Sequence, residues 1–424
     1  MSSGQRNAEL LLLLAPAAFA LLAWRALETA GAPLPAGSGR IVTQFLATAA
    51  AGHLTLRILA PGASPLPYAT AILLSAVGIA FVLRLAPDVA QDQANWVTIG
   101  VALMAFTAGL GRQYHILARY RYTAGAIAIL LLLGTGIFGT TINGARLWVT
   151  IGGQVVQTTE LIKVLVIVFL AGYLTDEGAV LSMPTLRFGG RSYSALPYLL
   201  PLILMLGVAI GALALLRDLG SIALLVVLTV SAMYVATGRV RYVAGGVGLL
   251  LVTAALGYVT FDHAQRRIDV WLDPYADASG DGFQTVQSIY AIQAGGVTGA
   301  GLGLGTPDAI PAAPTDYVFS AVAEELGLAG AAAVIMLYVV FLFAGLRIAA
   351  SERATYGRLL ASCIALLIAI QAAVIIGGNL RLIPTTGITL PFVSYGGSSL
   401  VVNFILVGLL LGLSARSRVE GALR

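Results

Sequence analysis

Twelve apolar runs follow one another along this chain, and they leave room for little else. They cover residues 8–24, 41–60, 66–85, 96–111, 123–141, 157–174, 195–216, 219–237, 241–260, 319–347, 358–377 and 396–415. A helix needs about 20 apolar residues to cross a bilayer, and each run reaches or approaches that length. None alternates in the manner of a barrel strand. Charged residues make up only 10% of the chain, against about 25% in a soluble domain, so the chain cannot coat a water-facing surface. Cys363 is the single cysteine, which excludes a disulfide scaffold. The expected fold is an all-α polytopic membrane protein of about twelve transmembrane helices. The first run, with Arg6 ahead of it, has some marks of a signal peptide. No soluble domain follows it, so it is expected to stay as a first helix.

Arginine sets the expected orientation. With an even number of crossings both termini lie on one side. Placing the segments 112–122, 238–241, 346–358 and 415–424 inside gives inner loops 15 arginines against 5 acidic residues. The outer loops then hold 8 arginines against 11 acidic residues. Positive charge stays inside, so both termini are expected in the cytoplasm, with the inner arginines attracted to anionic membrane lipids. No basic cluster is interleaved with aromatics, and no nucleic acid partner is expected. One outer segment is long, residues 261–318, and it carries Asp262, Asp269, Asp273, Asp277, Asp281, Asp308 and Asp316. Long connections in compact proteins usually serve function.

Polar residues embedded in apolar surroundings narrow the search. Lys163, the only lysine, lies three residues after Glu160, so the two share a helical face. They can neutralise each other as a packing element, or Lys163 can face a cavity that receives an anion. Arg217-Asp218-Leu219-Gly220-Ser221 marks another outer junction, where the two charges can simply solvate a turn. The glycine-rich run Gly295–Gly305 lacks a phosphate-binding register and a strand–helix context. No nucleotide is expected there, and the glycines suit close backbone approach. His53, His115 and His263 are scattered, and no zinc site or Ser-His-Asp triad follows from their spacing. The acid–base candidates are Asp316, Glu324 and Glu325. Asp316 precedes an apolar run, so a role near a helix start stands equally open.

Several of these stretches, in order, resemble one family. They are Asn143-Gly144-Ala145-Arg146-Leu147-Trp148, Gln157 to Lys163, Asp218-Leu219-Gly220-Ser221, and Gln287-Ser288-Ile289 leading into Ala294-Gly295-Gly296. Further on come Gly301-Leu302-Gly303, Pro314-Thr315-Asp316-Tyr317, Glu324-Glu325-Leu326-Gly327, Leu382 to Gly387, and Leu390 through Ser394-Tyr395-Gly396-Gly397-Ser398-Ser399. Together, over about residues 66–415, they are similar to the SEDS family (shape, elongation, division and sporulation) of RodA and FtsW. Leu147 stands where the family often has arginine, Thr158-Thr159 replaces Pro-Ser, and Arg217 replaces proline.

The resemblance implies a peptidoglycan glycosyltransferase that polymerises lipid II at the outer face of the bacterial cytoplasmic membrane, working with a class B penicillin-binding transpeptidase. It implies that Asp316 is the catalytic aspartate. The substrate contacts it implies involve Trp148, Arg146, Glu160, Lys163, Arg217, Asp218, Glu325, Ser394 and Ser398. A divalent cation, Mg²⁺ or Mn²⁺, could also meet the substrate pyrophosphate. The family's ten spans correspond to residues 66–415, with the outer loop 261–318 among them. Residues 1–65 then add two N-terminal helices, and 416–424 form a cytoplasmic tail. The rival expectation is a lipid II flippase or another secondary transporter, which should show a midplane site at broken helices.

Overall fold

The computed structural model describes residues 2–142, 145–183, 186–188, 191–193 and 196–422. Asn143 and Gly144 of the motif ending at Trp148, and the terminal Arg424, lie outside the described residues. The structure is 77% helical. Among the described residues, eleven helices are long and apolar enough to cross a membrane, and they follow eleven of the twelve runs. The remaining run, 41–60, is also a helix, Ser38–Leu59. It carries Arg40, Gln44, His53 and Arg57 and is correspondingly less apolar.

The chain divides into two compact units. The first comprises Met1–Arg112, Arg266–Ile348 and Gln371–Arg424. Its central helix, Leu66–Leu85, is apolar on every side and has 89% of its span buried, as an all-round hydrophobic helix requires. The helix Gly397–Ala422 packs along Ala90–Leu110. Near the N-terminus, buried Arg6 pairs with Glu9 at 2.6 Å, and Glu9 meets His53 Nδ1 at 2.7 Å, tying the first helices together.

The segment 261–318 is more ordered than a loop, with helices over Asp262–Leu272 and Phe283–Gly295. Beyond it, the helix Val318–Ser351 breaks at Gly327, where φ is 67° and ψ −170°. Glycine alone adopts such a conformation without strain. The backbone groups around the break are satisfied by the glycine-rich run. Ala300 N–H donates to Glu324 O at 2.9 Å, Gly301 N–H to Glu325 O at 3.0 Å, and Leu328 N–H to Gly296 O at 2.9 Å.

The second unit comprises Gln113–Gln265 and Ala349–Ile370. Thr158–Ser182 packs against both Arg121–Phe138 and Leu219–Thr237. Two small antiparallel sheets interrupt the helices. One has three strands, Thr140–Ile142, Ala145–Ile151 and Gln154–Gln157; the other pairs Leu186–Phe188 with Arg191–Tyr193. The apolar-run reading passed over the first sheet. Its signal was Gly152-Gly153, both at positive φ, a two-residue turn suited to a hairpin.

Candidate functional site

Asp316 sits two residues before the helix that begins at Val318, in the first unit. Its backbone is fixed from three directions. Asn379 Nδ2 donates to Asp316 O at 2.9 Å, Ser394 Oγ donates to Thr315 O at 2.5 Å, and Tyr395 N–H donates to Pro314 O at 2.8 Å. Ser394 Oγ also accepts from Leu390 N–H at 2.9 Å, so the Ser394–Ser399 block grips the Pro314–Tyr317 segment. The first turn of the helix takes its acceptor elsewhere. Asn379 Oδ1 accepts from Ser320 N–H at 3.3 Å and from Ser320 Oγ at 3.2 Å. Ser320 N–H also donates to Tyr317 O at 3.0 Å, so Tyr317 O and Asn379 together satisfy this donor in the part open to Asp316 on sequence grounds.

The Asp316 carboxyl is only partly exposed. Burial raises its pKa above the usual carboxylate range, against the pull of the Thr315 hydroxyl and the Arg267 guanidinium. A group so poised suits proton transfer. Arg267, anchored through Nη1 to Thr385 O at 3.0 Å, escaped the sequence reading because nothing distinguishes it among 23 arginines. Asn379 was also passed over, since a single amide just beyond the apolar run 358–377 carries no signal of its own.

Glu325 and Glu324 flank the helix break. Glu325 Oε1 accepts from Arg84 Nε at 3.0 Å, and Oε2 from Gly303 N–H at 3.0 Å. Arg84 also meets Asp308 at 2.6 Å. Glu324 Oε1 accepts from Thr306 N–H at 2.8 Å. These contacts pin the glycine-rich run to the break. Ser398 lies in the first turn of Gly397–Ala422, partly exposed, beside the buried Ser399, which accepts from Thr389 Oγ1 at 2.8 Å. Asp269, Asp273, Asp277 and Asp281 line a cavity of about 370 Å³. The Asp277 oxygens are occupied by the N–H groups of Gly280 and Asp281.

The remaining candidates lie in the second unit. Lys163 Nζ is 2.7 Å from Glu160 Oε2, and both side chains are buried. The void that Lys163 lines with Thr159, Ser221 and Leu367 measures about 10 Å³, space for one water at most. Asp218 is the N-cap of Leu219–Thr237, accepting from Ser221 N–H at 2.9 Å and Ser221 Oγ at 2.6 Å. Arg217 beside it is exposed and held at φ 63°. Arg146 is exposed but donates to Gly139 O at 2.8 Å and Gly136 O at 3.0 Å, closing the end of Arg121–Phe138. Trp148, partly exposed, lies in the middle strand of the sheet, opposite Thr140 and Gln157. No group of three or more His, Cys, Asp or Glu among the described residues lies close enough to hold a metal ion.

Comparison with known proteins gives this geometry a context. The family model described as Cell cycle protein, covering FtsW, RodA and SpoVE, matches residues 68–419. The peptidoglycan glycosyltransferase RodA of Mycobacterium tuberculosis is 34% identical over 430 residues, covering 98% of this chain and 91% of the relative. A solved structure concerned with the coordination of polymerization and crosslinking by a peptidoglycan synthase complex matches with TM-score 0.63 and 28% identity. That match covers 89% of this chain and 97% of the other. The rod shape determining protein RodA of Thermus thermophilus matches with TM-score 0.59 and 25% identity, over 81% of this chain and 94% of the other. With its eleven apolar helices this is a multi-pass membrane protein. Its extent of match leaves one conclusion: the chain belongs to the family of cell cycle proteins formed by FtsW, RodA and SpoVE.

Proposed function

We propose that this chain is a peptidoglycan glycosyltransferase that polymerises lipid II at the outer face of the bacterial cytoplasmic membrane, with both termini in the cytoplasm. The observation that carries the reading is Asp316, a carboxylate with a firmly held backbone, beside a helix start whose Ser320 N–H is met by Tyr317 O and Asn379. The 4-hydroxyl of an acceptor GlcNAc attacks the anomeric carbon of a donor MurNAc. The new glycosidic C–O bond forms as the bond to the pyrophosphate breaks, with inversion. Asp316 takes the hydroxyl proton, a contribution of about 10²–10⁴-fold in rate, and the lipid pyrophosphate leaves.

Counter-charge for the pyrophosphate is assigned to Arg146, Arg217 and Lys163, the last needing to leave Glu160. Trp148 offers a face for sugar or lipid, Ser398 contacts substrate, and Asp218, Glu325 and Ser394 bind substrate while holding nearby backbone. Among the described residues no three His, Cys, Asp or Glu stand close enough together to hold a metal ion, and no step is routed through Mg²⁺ or Mn²⁺. Residues 66–415 act as the polymerase core, residues 1–65 as two added helices, and 416–424 as a tail. The similarity to a synthase complex that couples polymerization and crosslinking supports a class B penicillin-binding transpeptidase as partner.

The helix break at Gly327 would suit a flippase or other transporter, whose discontinuous helices line a midplane site. Here backbone from Gly296 to Gly301 fills the break, which favours the enzyme. The test is purified chain with lipid II, with and without a class B transpeptidase, read by gel-resolved glycan. Polymer that increases with the transpeptidase is expected. Lipid II translocation without polymer under either condition would overturn the reading.

A further inference from the structure

Gly387 stands beside the candidate base with φ at 69°. A Cβ placed on it would lie 3.3 Å from Arg267 Nη2, 3.5 Å from Arg267 Nη1 and 3.7 Å from Asp316 Oδ2. The guanidinium and the carboxylate thus border one small space, kept open because residue 387 has no side chain. Arg267 is not free to swing away. Its Nη1 is tied to Thr385 O, and the helix end that carries it is locked by a reciprocal pair: Trp271 Nε1 donates to Arg381 O at 3.1 Å, and Arg381 Nε donates to Trp271 O at 2.9 Å.

We infer that Arg267 is a positioning residue for Asp316, keeping the carboxylate aimed across the gap at Gly387, where the acceptor hydroxyl enters. This rests on the reading of Asp316 as general base. The groups at Asp316 are Arg267 from the helix Asp262–Leu272, Thr315 and Tyr317 from its own segment, and Asn379 and Gly387 from later in the chain, with Thr385 meeting Tyr317 and Arg267. Arg267 is the cation among them. Burial opposes ionisation of Asp316 and Arg267 favours it, so loss of Arg267 raises the pH at which the base becomes active.

The experiment is the pH profile of lipid II polymerisation by the full chain carrying Arg267→Gln or Arg267→Lys, beside thermal stability of each. For Arg267→Gln the acid limb should move upward by about one pH unit, with about tenfold less polymer below the limb and recovery above it. Arg267→Lys keeps the charge and should retain the wild-type limb at a lower plateau, so it serves if the glutamine variant does not fold. An unmoved limb in Arg267→Gln, whether polymer is unchanged or uniformly reduced, overturns the inference. So does a limb displaced equally in Arg267→Lys. Asp316→Asn is run in parallel. Polymer from that variant overturns the general-base reading itself, whereas its inactivity with an unmoved Arg267→Gln limb overturns the positioning role alone.

Discussion

Asp218 and Asp316 both precede a membrane helix, yet the two units use them differently. Asp218 gives both carboxylate oxygens to Ser221 and caps Leu219–Thr237. Near Asp316 the third N–H of the helix, that of Ser320, is shared by Tyr317 O and Asn379, and the aspartate is held by its backbone while its carboxyl faces Arg267 across the space at Gly387. The same contrast recurs around them. In the second unit Lys163 closes on Glu160 and Arg146 closes on carbonyls, whereas in the first the Ser394 hydroxyl and Asn379 secure backbone and leave a carboxylate for other work. A charge whose helix-end task has been taken over by a neighbour points to function more strongly than a charge alone.

The largest expected stability effect tests the closed region. Lys163→Met leaves Glu160 buried and unpaired, which should cost roughly 3–5 kcal/mol. Adding Glu160→Gln should restore most of that in a denaturation experiment. The proposal that Lys163 also meets the pyrophosphate requires polymer to stay low in this double variant, and full polymer from it would make the pair purely structural. In the open region, Ser394→Ala strips partners from Thr315 O and Leu390 N–H. A loss of about 1–3 kcal/mol is expected, together with reduced polymer at a temperature where the variant is folded. Polymer equal to wild type there would show that the grip on the Pro314–Tyr317 segment is dispensable.

Asp218→Ala removes a cap and should lower stability by about 1 kcal/mol while leaving polymer largely intact at temperatures where the protein is folded. Asp316→Asn is expected to show the smallest stability loss, or a gain. Burial sets the folded pKa of Asp316 above its unfolded value, so its ionisation begins to cost stability as the pH rises past the unfolded pKa, and the cost is complete above the folded one. A neutral amide removes that opposition. A clear drop in Tm for Asp316→Asn at neutral pH would contradict this.

Much of the architecture was legible because membrane spans announce themselves through length and apolarity: runs such as 66–85 and 219–237 reappear with nearly the same limits. The kink at Gly327 was hidden inside one long run, since Glu324-Glu325-Leu326-Gly327 reads as a polar interruption and carries no geometry. Asp316 could be singled out as a candidate, but not separated from a cap, because that distinction depends on Asn379, 63 residues further along. Arg267 and Gly387 belong to segments 120 residues apart in sequence, and only the fold brings them to one space. The fate of Asp218 was closer to hand, as Ser221 sits three residues away.

The most direct test compares the two aspartates in one assay. Asp316→Asn and Asp218→Asn are purified in the same way, their folding is checked by thermal denaturation, and each is given lipid II with product resolved on a gel. The account predicts that folded Asp316→Asn makes no glycan chains, while Asp218→Asn loses some stability and still polymerises. Near-normal polymer from Asp316→Asn would contradict it.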